Sequence, residues 1–120
     1  MRMNRIRQNV CAAAGWLLCG GGSFRRIYDR QSMTYVPVCG QMKGGKVWVG
    51  NTRRPALFRG RSEGGRCILM SGAHAVLLKQ EKKRFAGRDL TSGTYFKGRI
   101  DGRRIFFYDC DKRKYICFMI

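Results

Sequence analysis

Acidic residues are scarce in this chain, and long stretches have none. The 120 residues include 7 Asp and Glu against 25 Lys and Arg, which gives a formal net charge of +18 at pH 7. No acid precedes Asp29, and none lies between residues 31 and 62. A compact body of this size holds so much like charge only at an electrostatic cost, unless a polyanion neutralises it. The imbalance therefore indicates a polyanionic partner.

The residue patterns of common catalytic, metal and membrane sites are also missing. His74 is the only histidine, and no two cysteines have the Cys-x-x-Cys spacing of zinc and redox sites. Residues 40–46 approach the Walker A spacing, but Val47 stands where Ser or Thr would bind magnesium. The apolar stretch at residues 10–19 is too short to cross a bilayer. We therefore expect no enzymatic activity, no cofactor, no bound metal and no membrane span.

Arginine is the commoner cation, with 17 Arg against 8 Lys. A guanidinium group grips phosphate at two points and stacks on bases, whereas an ammonium is a point charge. The excess favours nucleic acid, and RNA above all, because RNA offers unpaired bases that stack. The cations are spread along the chain, which fits a protein held by folded RNA on several sides. The candidate RNA-binding residues are Arg2, Arg5, Arg7, Arg25, Arg26, Lys43, Lys46, Arg53, Arg54, Arg59, Arg61, Lys82, Lys83, Arg84, Arg103 and Arg104.

Aromatic residues are interleaved with cations in three segments, residues 46–48, 58–61 and 95–99. Cations neutralise phosphates, and exposed aromatic rings stack on unpaired bases. Taken singly, Trp48 and Phe58 fit a hydrophobic core better than a binding surface. Taken together, the three segments support an RNA-binding surface.

The first thirty residues form a basic segment with a helical pattern that ends at the glycines of positions 20–22. An Arg-rich, acid-free, amphipathic start is typical of a mitochondrial transit peptide, and the rival interpretation is a secretory signal. We expect a retained N-terminal arm over residues 1–30, a mitochondrial location, and a β domain over residues 31–120. The apolar stripe of the arm comprises Met3, Ile6, Val10, Ala13 and Leu17.

After the glycines the pattern changes to short β-type runs. These runs cover residues 35–39, 46–49, 67–70, 73–78, 94–100, 103–108 and 115–120. Asp101-Gly102 is a favoured type I′ hairpin turn, and Ser71-Gly72 suits a second turn. We predict a mainly β fold: a small, strongly bent antiparallel sheet or barrel of about six or seven strands, with a C-terminal three-stranded meander. Only residues 79–86 allow a helical turn, and no internal repeat is apparent.

The last run, residues 115–120, is apolar at every position. A half-exposed antiparallel strand would carry polar residues on one face. The run is therefore expected to be the central strand of a small closed barrel, or to lie against a neighbouring protein.

The six cysteines allow two interpretations. They can be buried free thiols that act as small apolar residues. Alternatively, four of them form two disulfides in a secreted protein after removal of a leader. The cysteines are Cys11, Cys19, Cys39, Cys67, Cys110 and Cys117.

Together these features predict a non-catalytic RNA-binding component of a large ribonucleoprotein, such as a mitochondrial ribosome or its assembly particle. Its partners would be structured RNA and neighbouring proteins, the latter through residues 115–120. Two alternatives remain open at this point. One is a secreted, disulfide-stabilised cationic protein, either antimicrobial or a basic nuclease. The other is a small subunit of a mitochondrial membrane complex, with the stripe of residues 3–17 in lipid.

Overall fold

The computed structural model describes residues 3–51 and 53–120, which form one helix and eleven strands. The elements are α1 (Arg5–Leu18), β1 (Ile27–Asp29), β2 (Thr34–Val36), β3 (Cys39–Lys43), β4 (Lys46–Gly50), β5 (Phe58–Glu63), β6 (Arg66–Ser71), β7 (His74–Glu81), β8 (Arg84–Asp89), β9 (Thr94–Asp101), β10 (Arg104–Asp109) and β11 (Lys114–Met119). The mainly β class with an Arg-rich helical start is confirmed.

All eleven strands belong to one antiparallel sheet, in the order β2-β1-β11-β10-β9-β8-β7-β6-β5-β4-β3. Eleven strands about 4.8 Å apart would span about 48 Å in a flat sheet, but the longest dimension of the molecule is 32 Å. The sheet is therefore strongly curled. A single β-bridge between Phe24 and Gly40 brings its two margins together at one point, and the sheet does not close into a barrel.

Helix α1 lies on the inner, concave face of the sheet, against β3, β4 and β7–β10. It begins at Asn4, whose side chain accepts a hydrogen bond from the Arg7 backbone amide at 2.9 Å. It ends before Gly20, which has φ 93°, a conformation that glycine adopts without a steric cost. These residues thus define the two ends of the helix.

The predicted apolar stripe of the helix is buried, except for Ile6, which is 67% exposed. Burial extends well beyond the stripe, because the sheet curls around the helix and covers most of its circumference. Even Gln8 and Asn9 are buried. Residues 1–30 were expected to form an arm. Their described part, residues 3–30, instead contributes α1 to the core and β1 to the sheet.

A four-residue turn of one design recurs at one end of the sheet. Each turn follows a buried aspartate, and the last of its four residues has a positive φ. The following Thr or Lys pairs with the aspartate across the hairpin, and a tyrosine comes next. The pairs are Asp29 with Thr34, Asp89 with Thr94, and Asp109 with Lys114, and the positive-φ residues are Met33, Gly93 and Arg113. The expectation of no internal repeat is therefore wrong, since Asp-x-x-x-x-Thr/Lys-Tyr occurs three times.

Tight two-residue turns connect the strands at the opposite end. The predicted Asp101-Gly102 turn is one residue early, because Asp101 pairs with Arg104. The turn residues are Gly102 and Arg103, and Gly102 takes the first position with φ 61°. The Ser71-Gly72 prediction has the same error, since Ser71 pairs with His74 across the two-residue β6–β7 turn, which lies at the aspartate end of the sheet. In both cases the position that needs positive φ decides the register.

The sheet has more strands than predicted, eleven against six or seven. The predicted helical turn at residues 79–86 is wrong, since this segment contains the end of β7 and the start of β8. Strand β5 is missed because Gly60 takes an inward position where an apolar side chain would mark a strand. A Cβ at Gly60 would lie 2.0 Å from the Ile68 carbonyl oxygen, so close pairing of β5 with β6 requires glycine there.

Strand β11 is an internal strand, paired with β10 on one side and β1 on the other. The three-stranded C-terminal meander of β9, β10 and β11 is confirmed. The predicted central position of the last strand is correct, but the closed barrel is not. Ile116 and Phe118 face the core, whereas Tyr115 faces outward and is 66% exposed.

Candidate nucleic-acid interface

Three of the seven acidic residues have no exposed surface, and each is bound to the first turns of α1. Arg5 donates to Asp29, Arg7 Nη1 donates to Asp89 Oδ2 at 3.4 Å, and Gln8 Nε2 donates to Asp109 Oδ2 at 2.8 Å. The Oδ1 atom of each aspartate also accepts a backbone amide of its own turn. Three carboxylates at the N-terminal end of a helix also complement its dipole. The aspartates thus hold the interior together, and the outer face keeps a large excess of cations.

The environment of Asp29 illustrates this arrangement. Burial by itself would raise the pKa of the carboxyl. The hydrogen bond and charge of Arg5, together with the backbone amides of Gln31 and Ser32, outweigh burial and hold the pKa of Asp29 below its usual value. Among the predicted RNA-binding residues, Arg5 and Arg7 therefore have carboxylate partners within the chain, and Arg2 lies outside the described residues.

The strand register arranges the outward side chains in rows that cross the sheet. One row runs over six strands from β6 to β11, and the next row runs over five strands from β7 to β11. The first row is Arg66, Lys79, Ala86, Lys97, Tyr108 and Tyr115, and the second is Glu81, Arg84, Arg99, Phe106 and Cys117.

These two rows line a groove of about 620 Å³ on the outer face, here called the outer groove. Its charged lining has one acid, Glu81, and five cations. Its aromatic lining includes three rings at the β10–β11 end. The five cations are Arg66, Lys79, Arg84, Lys97 and Arg99, and the three rings are Phe106, Tyr108 and Tyr115. The small Ala86 lies between Lys79 and Lys97 in the first row, so the floor is low at its centre.

Cations and rings in the groove contact each other directly. Arg99 Cζ lies 4.2 Å from the centre of the Phe106 ring, and Lys97 Nζ lies 5.4 Å from the centre of the Tyr108 ring. The rings of Tyr108 and Tyr115 are 4.6 Å apart. Such cation–π contacts position the cations above the rings while leaving their outer N–H groups available to anions. The groove therefore has a cationic end on β6–β8 and an aromatic end on β10–β11.

Of the five groove cations, only Arg84 is among the candidate RNA-binding residues named from the sequence, although the segment 95–99, which contains Lys97 and Arg99, was recognised as a run of cations and aromatics. Arg66, Lys79, Lys97 and Arg99 are absent from the predicted set. The signal for two of them was the alternation in β9, where Lys97 and Arg99 face outward and Phe96 faces the core. Their grouping with Arg66 and Lys79 depends on register across several strands, which a single sequence does not reveal.

A second cluster, the β3–β5 patch, consists of Lys43, Lys46, Arg59, Arg61 and Trp48. Lys46 lies between Lys43 and Arg61 in one row, and Trp48 lies opposite Arg59 in the next. The structure thus brings together four predicted RNA-binding residues around one half-buried aromatic ring. The other aromatic of this region, Phe58, belongs to the core.

A third cluster lines a pocket of about 690 Å³ beside β1 and β2, here called the β1–β2 pocket. It contains the predicted residues Arg25, Arg26 and Arg103, together with Tyr28 and Tyr35. Arg26 Cζ lies 3.9 Å from the centre of the Tyr35 ring. This pocket repeats the combination of cation and tyrosine seen in the outer groove.

The remaining predicted cations lie in turns and at a strand end. Arg53 and Arg54 are exposed in the β4–β5 loop, where their backbone amides donate to Asn51 Oδ1. Lys82 and Lys83 form the β7–β8 turn, and Lys83 Nζ lies 3.4 Å from the Cys19 carbonyl oxygen at the helix end. Arg104 lies opposite Asp101 across a tight turn.

The two weak catalytic signals have structural explanations. His74 Nδ1 lies 2.7 Å from Arg7 Nη2 and 3.0 Å from Thr91 Oγ1, which supports a hydrogen-bonding role for this imidazole. Residues 40–46 form the β3–β4 hairpin, with Gly44 and Gly45 at positive φ in its turn. This hairpin lacks the helix N-terminus that faces phosphates in a P-loop.

Within residues 3–51 and 53–120, no three His, Cys, Asp or Glu side chains are grouped so that they could hold a metal ion. The helix of the described chain lacks the length and apolarity needed to cross a bilayer.

All six cysteines are described, and all six are free thiols. Cys11, Cys19 and Cys67 are buried, and the other three are half-buried. Burial raises the pKa of Cys67 to about 11, and it raises that of Cys19 to about 11 despite the opposing charge of Lys83. Burial also raises the pKa of Cys11 well above its usual value. The buried thiols are therefore neutral at physiological pH.

Comparison with known proteins gives no lead to function. No protein family, curated protein or solved structure matches the chain. Its function is inferred from its own residues alone.

Proposed function

We propose that this protein binds RNA on the outer face of its curled sheet and is a non-catalytic structural component of a ribonucleoprotein. A mitochondrial ribosome or its assembly particle fits the size, the spread of charge and the basic start of the chain. The observation that carries the proposal is the separation of charge. Three of seven acids are buried against the helix, while cations interleaved with aromatics occupy the outer rows.

This separation suits a phosphate polymer. Each phosphate contact releases condensed counterions, and contacts with backbone phosphates need no base sequence. The outer groove, the β3–β5 patch and the β1–β2 pocket together offer several contact surfaces. Folded RNA can engage such surfaces at once, whereas a small anionic ligand would use one.

Two structural observations favour RNA over the alternatives raised by the sequence. The disulfide-stabilised secreted protein requires cysteine pairs, but the six cysteines are free thiols. The membrane-complex subunit requires the stripe of residues 3–17 in lipid. Met3, Val10 and Leu17 of that stripe are instead buried beneath the sheet.

The salt dependence of RNA binding tests the proposal. The affinity of a structured RNA would be measured over about 50–300 mM salt, for the wild type and for Lys46→Gln/Arg59→Gln/Arg61→Gln. We expect a steep fall in affinity with salt for the wild type. The triple variant should show a slope smaller by about 2–3, since each phosphate contact contributes about 0.7–0.9.

A charge-matched control separates local contacts from net charge. Lys112→Gln/Arg113→Gln/Lys114→Gln removes the same charge from the β10–β11 turn, away from the β3–β5 patch. Its slope should stay closer to that of the wild type. Weak, salt-independent binding by the wild type at low salt would overturn the proposal, and equal effects of the two variants would exclude the patch as a binding surface.

A further inference from the structure

The outer groove is chemically divided along its length. Arg66, Lys79 and Arg84 supply charge at one end, and Tyr108 and Tyr115 supply rings at the other. A polymer of phosphate alone would be satisfied by the cationic end. The aromatic end adds nothing for such a ligand, so its exposure points to a ligand that has flat apolar faces as well as charge.

Tyr115 is exposed and Tyr108 is half-buried, and both rings fit nucleobases. Every base has a π-face, and stacking of a base on an aromatic side chain contributes substantially to the binding of single strands. In a duplex these faces are covered by neighbouring base pairs, and proteins recognise double-stranded RNA through its backbone and minor groove. Rings that stack on bases therefore require unpaired nucleotides.

The dimensions of the groove suit a short single strand of RNA. Its first row crosses six adjacent strands, and five intervals of about 4.8 Å give a length of about 24 Å along the sheet. Ala86 in the middle of the row leaves room above the floor. A single strand of RNA that lies across the sheet would pass from the cations of β6 and β7 to the tyrosines of β10 and β11.

We propose that the outer groove binds an unpaired segment of RNA, with bases stacked on Tyr108 and Tyr115 and phosphates held by Arg66 and Lys79. This inference rests on the RNA-binding function proposed above and assigns the single-strand site within it. The cation–π contacts hold Lys97 over the Tyr108 ring and Arg99 over the Phe106 ring, so these two cations lie next to the stacked bases and neutralise the phosphates between them.

The test compares two RNA probes and one probe without bases. The RNAs are a single-stranded oligonucleotide of about 10 nucleotides, a length within the usual range for small β domains, and a hairpin whose stem pairs the same sequence. The third probe is inorganic polyphosphate. Each is titrated against the wild type, Tyr108→Ala/Tyr115→Ala, Tyr108→Phe/Tyr115→Phe and the control Leu77→Ala. Leu77 is also an exposed apolar side chain, but it lies outside the outer groove and the other two proposed contact surfaces.

We expect the double alanine variant to lose roughly 10-fold or more in affinity for the single strand. The double phenylalanine variant should bind as the wild type does, because the rings remain. Leu77→Ala should change single-strand binding little, and all variants should bind polyphosphate equally. Thermal unfolding of each variant shows whether the fold is intact, and the phenylalanine variant keeps the test valid if the alanine variant is unstable.

Two results would overturn the inference while leaving RNA binding in place. One is equal single-strand affinity in the wild type and a folded double alanine variant. The other is equal affinity of the wild type for the single strand and the paired hairpin. Tyrosine-dependent binding to vesicles of anionic lipid, as strong as that to RNA, would also overturn it. A wild type that binds neither RNA at low salt would refute the proposed function itself.

Discussion

Gln8 on the helix donates a hydrogen bond from Nε2 to Oδ2 of Asp109 at 2.8 Å, and both side chains are buried. The same carboxylate accepts the backbone amides of Asp111 and Lys112 in the β10–β11 turn. One side chain thus joins the helix to a turn of the sheet.

Replacing Asp109 with Ala should destabilise the fold by about 3 kcal/mol, because it leaves Gln8 and two turn amides without their acceptor. Urea unfolding at pH 7 measures the change. Asp101→Ala serves as the control, since Asp101 is exposed, and it should stay within about 0.5 kcal/mol of the wild type. Equal stability of the two variants would show that the Asp109 contacts do not hold the helix.

Asp29 should make stability depend on pH in the acid range. Its pKa is lower in the folded chain than its ordinary value, so its contribution is complete above about pH 4. The contribution is lost as pH falls through the folded pKa. Asp29→Asn should therefore be less stable than the wild type at pH 7, and the difference should shrink at lower pH. Urea midpoints measured from pH 7 down to about pH 2 test this, and a difference independent of pH would contradict it.

The cysteines should react with iodoacetamide in two groups. At about pH 8 the buried, neutral thiols of Cys11, Cys19 and Cys67 should be protected, since the thiolate is the nucleophile. Cys39, Cys110 and Cys117 should be modified first. Peptide mass mapping after brief alkylation, with and without urea, separates the groups. Modification of all six at one rate in the native protein would contradict the burial, and a mass lower by two or four hydrogens would indicate disulfides.

The buried thiols also predict a loss of stability in alkali. The pKa values of Cys19 and Cys67 rise to about 11 in the folded chain, whereas an unfolded cysteine ionises near pH 8.5, at about its ordinary pKa. Above that pH the unfolded chain releases protons that the folded chain retains, so stability should fall as pH rises from about 8.5 to 11. Replacing Cys67 with Ala should reduce this fall in urea midpoint, and an unchanged alkaline profile would contradict the explanation.

Elements with strong local patterns could be predicted from the sequence. The stripe from Met3 to Leu17 predicted the helix, and the alternation after Thr94 predicted the C-terminal meander. Strands β5 and β8 were missed because their inward positions include Gly60 and Gly87, which carry no apolar signal. Their pairing is decided by neighbouring strands, which local sequence does not show.

The candidate site was predictable in part. Clusters close in sequence, such as Lys43 with Lys46 and Arg59 with Arg61, were recognised and lie together. The ion pairs of Arg5 and Arg7 were not predicted, because their partners Asp29 and Asp89 are distant in sequence. The outer groove was missed for the same reason, although the three Asp-x-x-x-x-Thr/Lys-Tyr turns would have placed Tyr35, Tyr95 and Tyr115 on strands facing outward.

Mapping of ultraviolet cross-links between the full chain and RNA tests the central claim most directly. The account predicts that cross-linked peptides come from the outward positions of β9–β11, with Tyr108 and Tyr115 prominent, and from the β3–β5 patch around Trp48. Cross-links should weaken as salt rises, because phosphate contacts hold the RNA in place. Cross-links confined to the four-residue turns around the helix N-terminus, or none at low salt, would contradict the assignment of RNA binding to the outer face of the sheet.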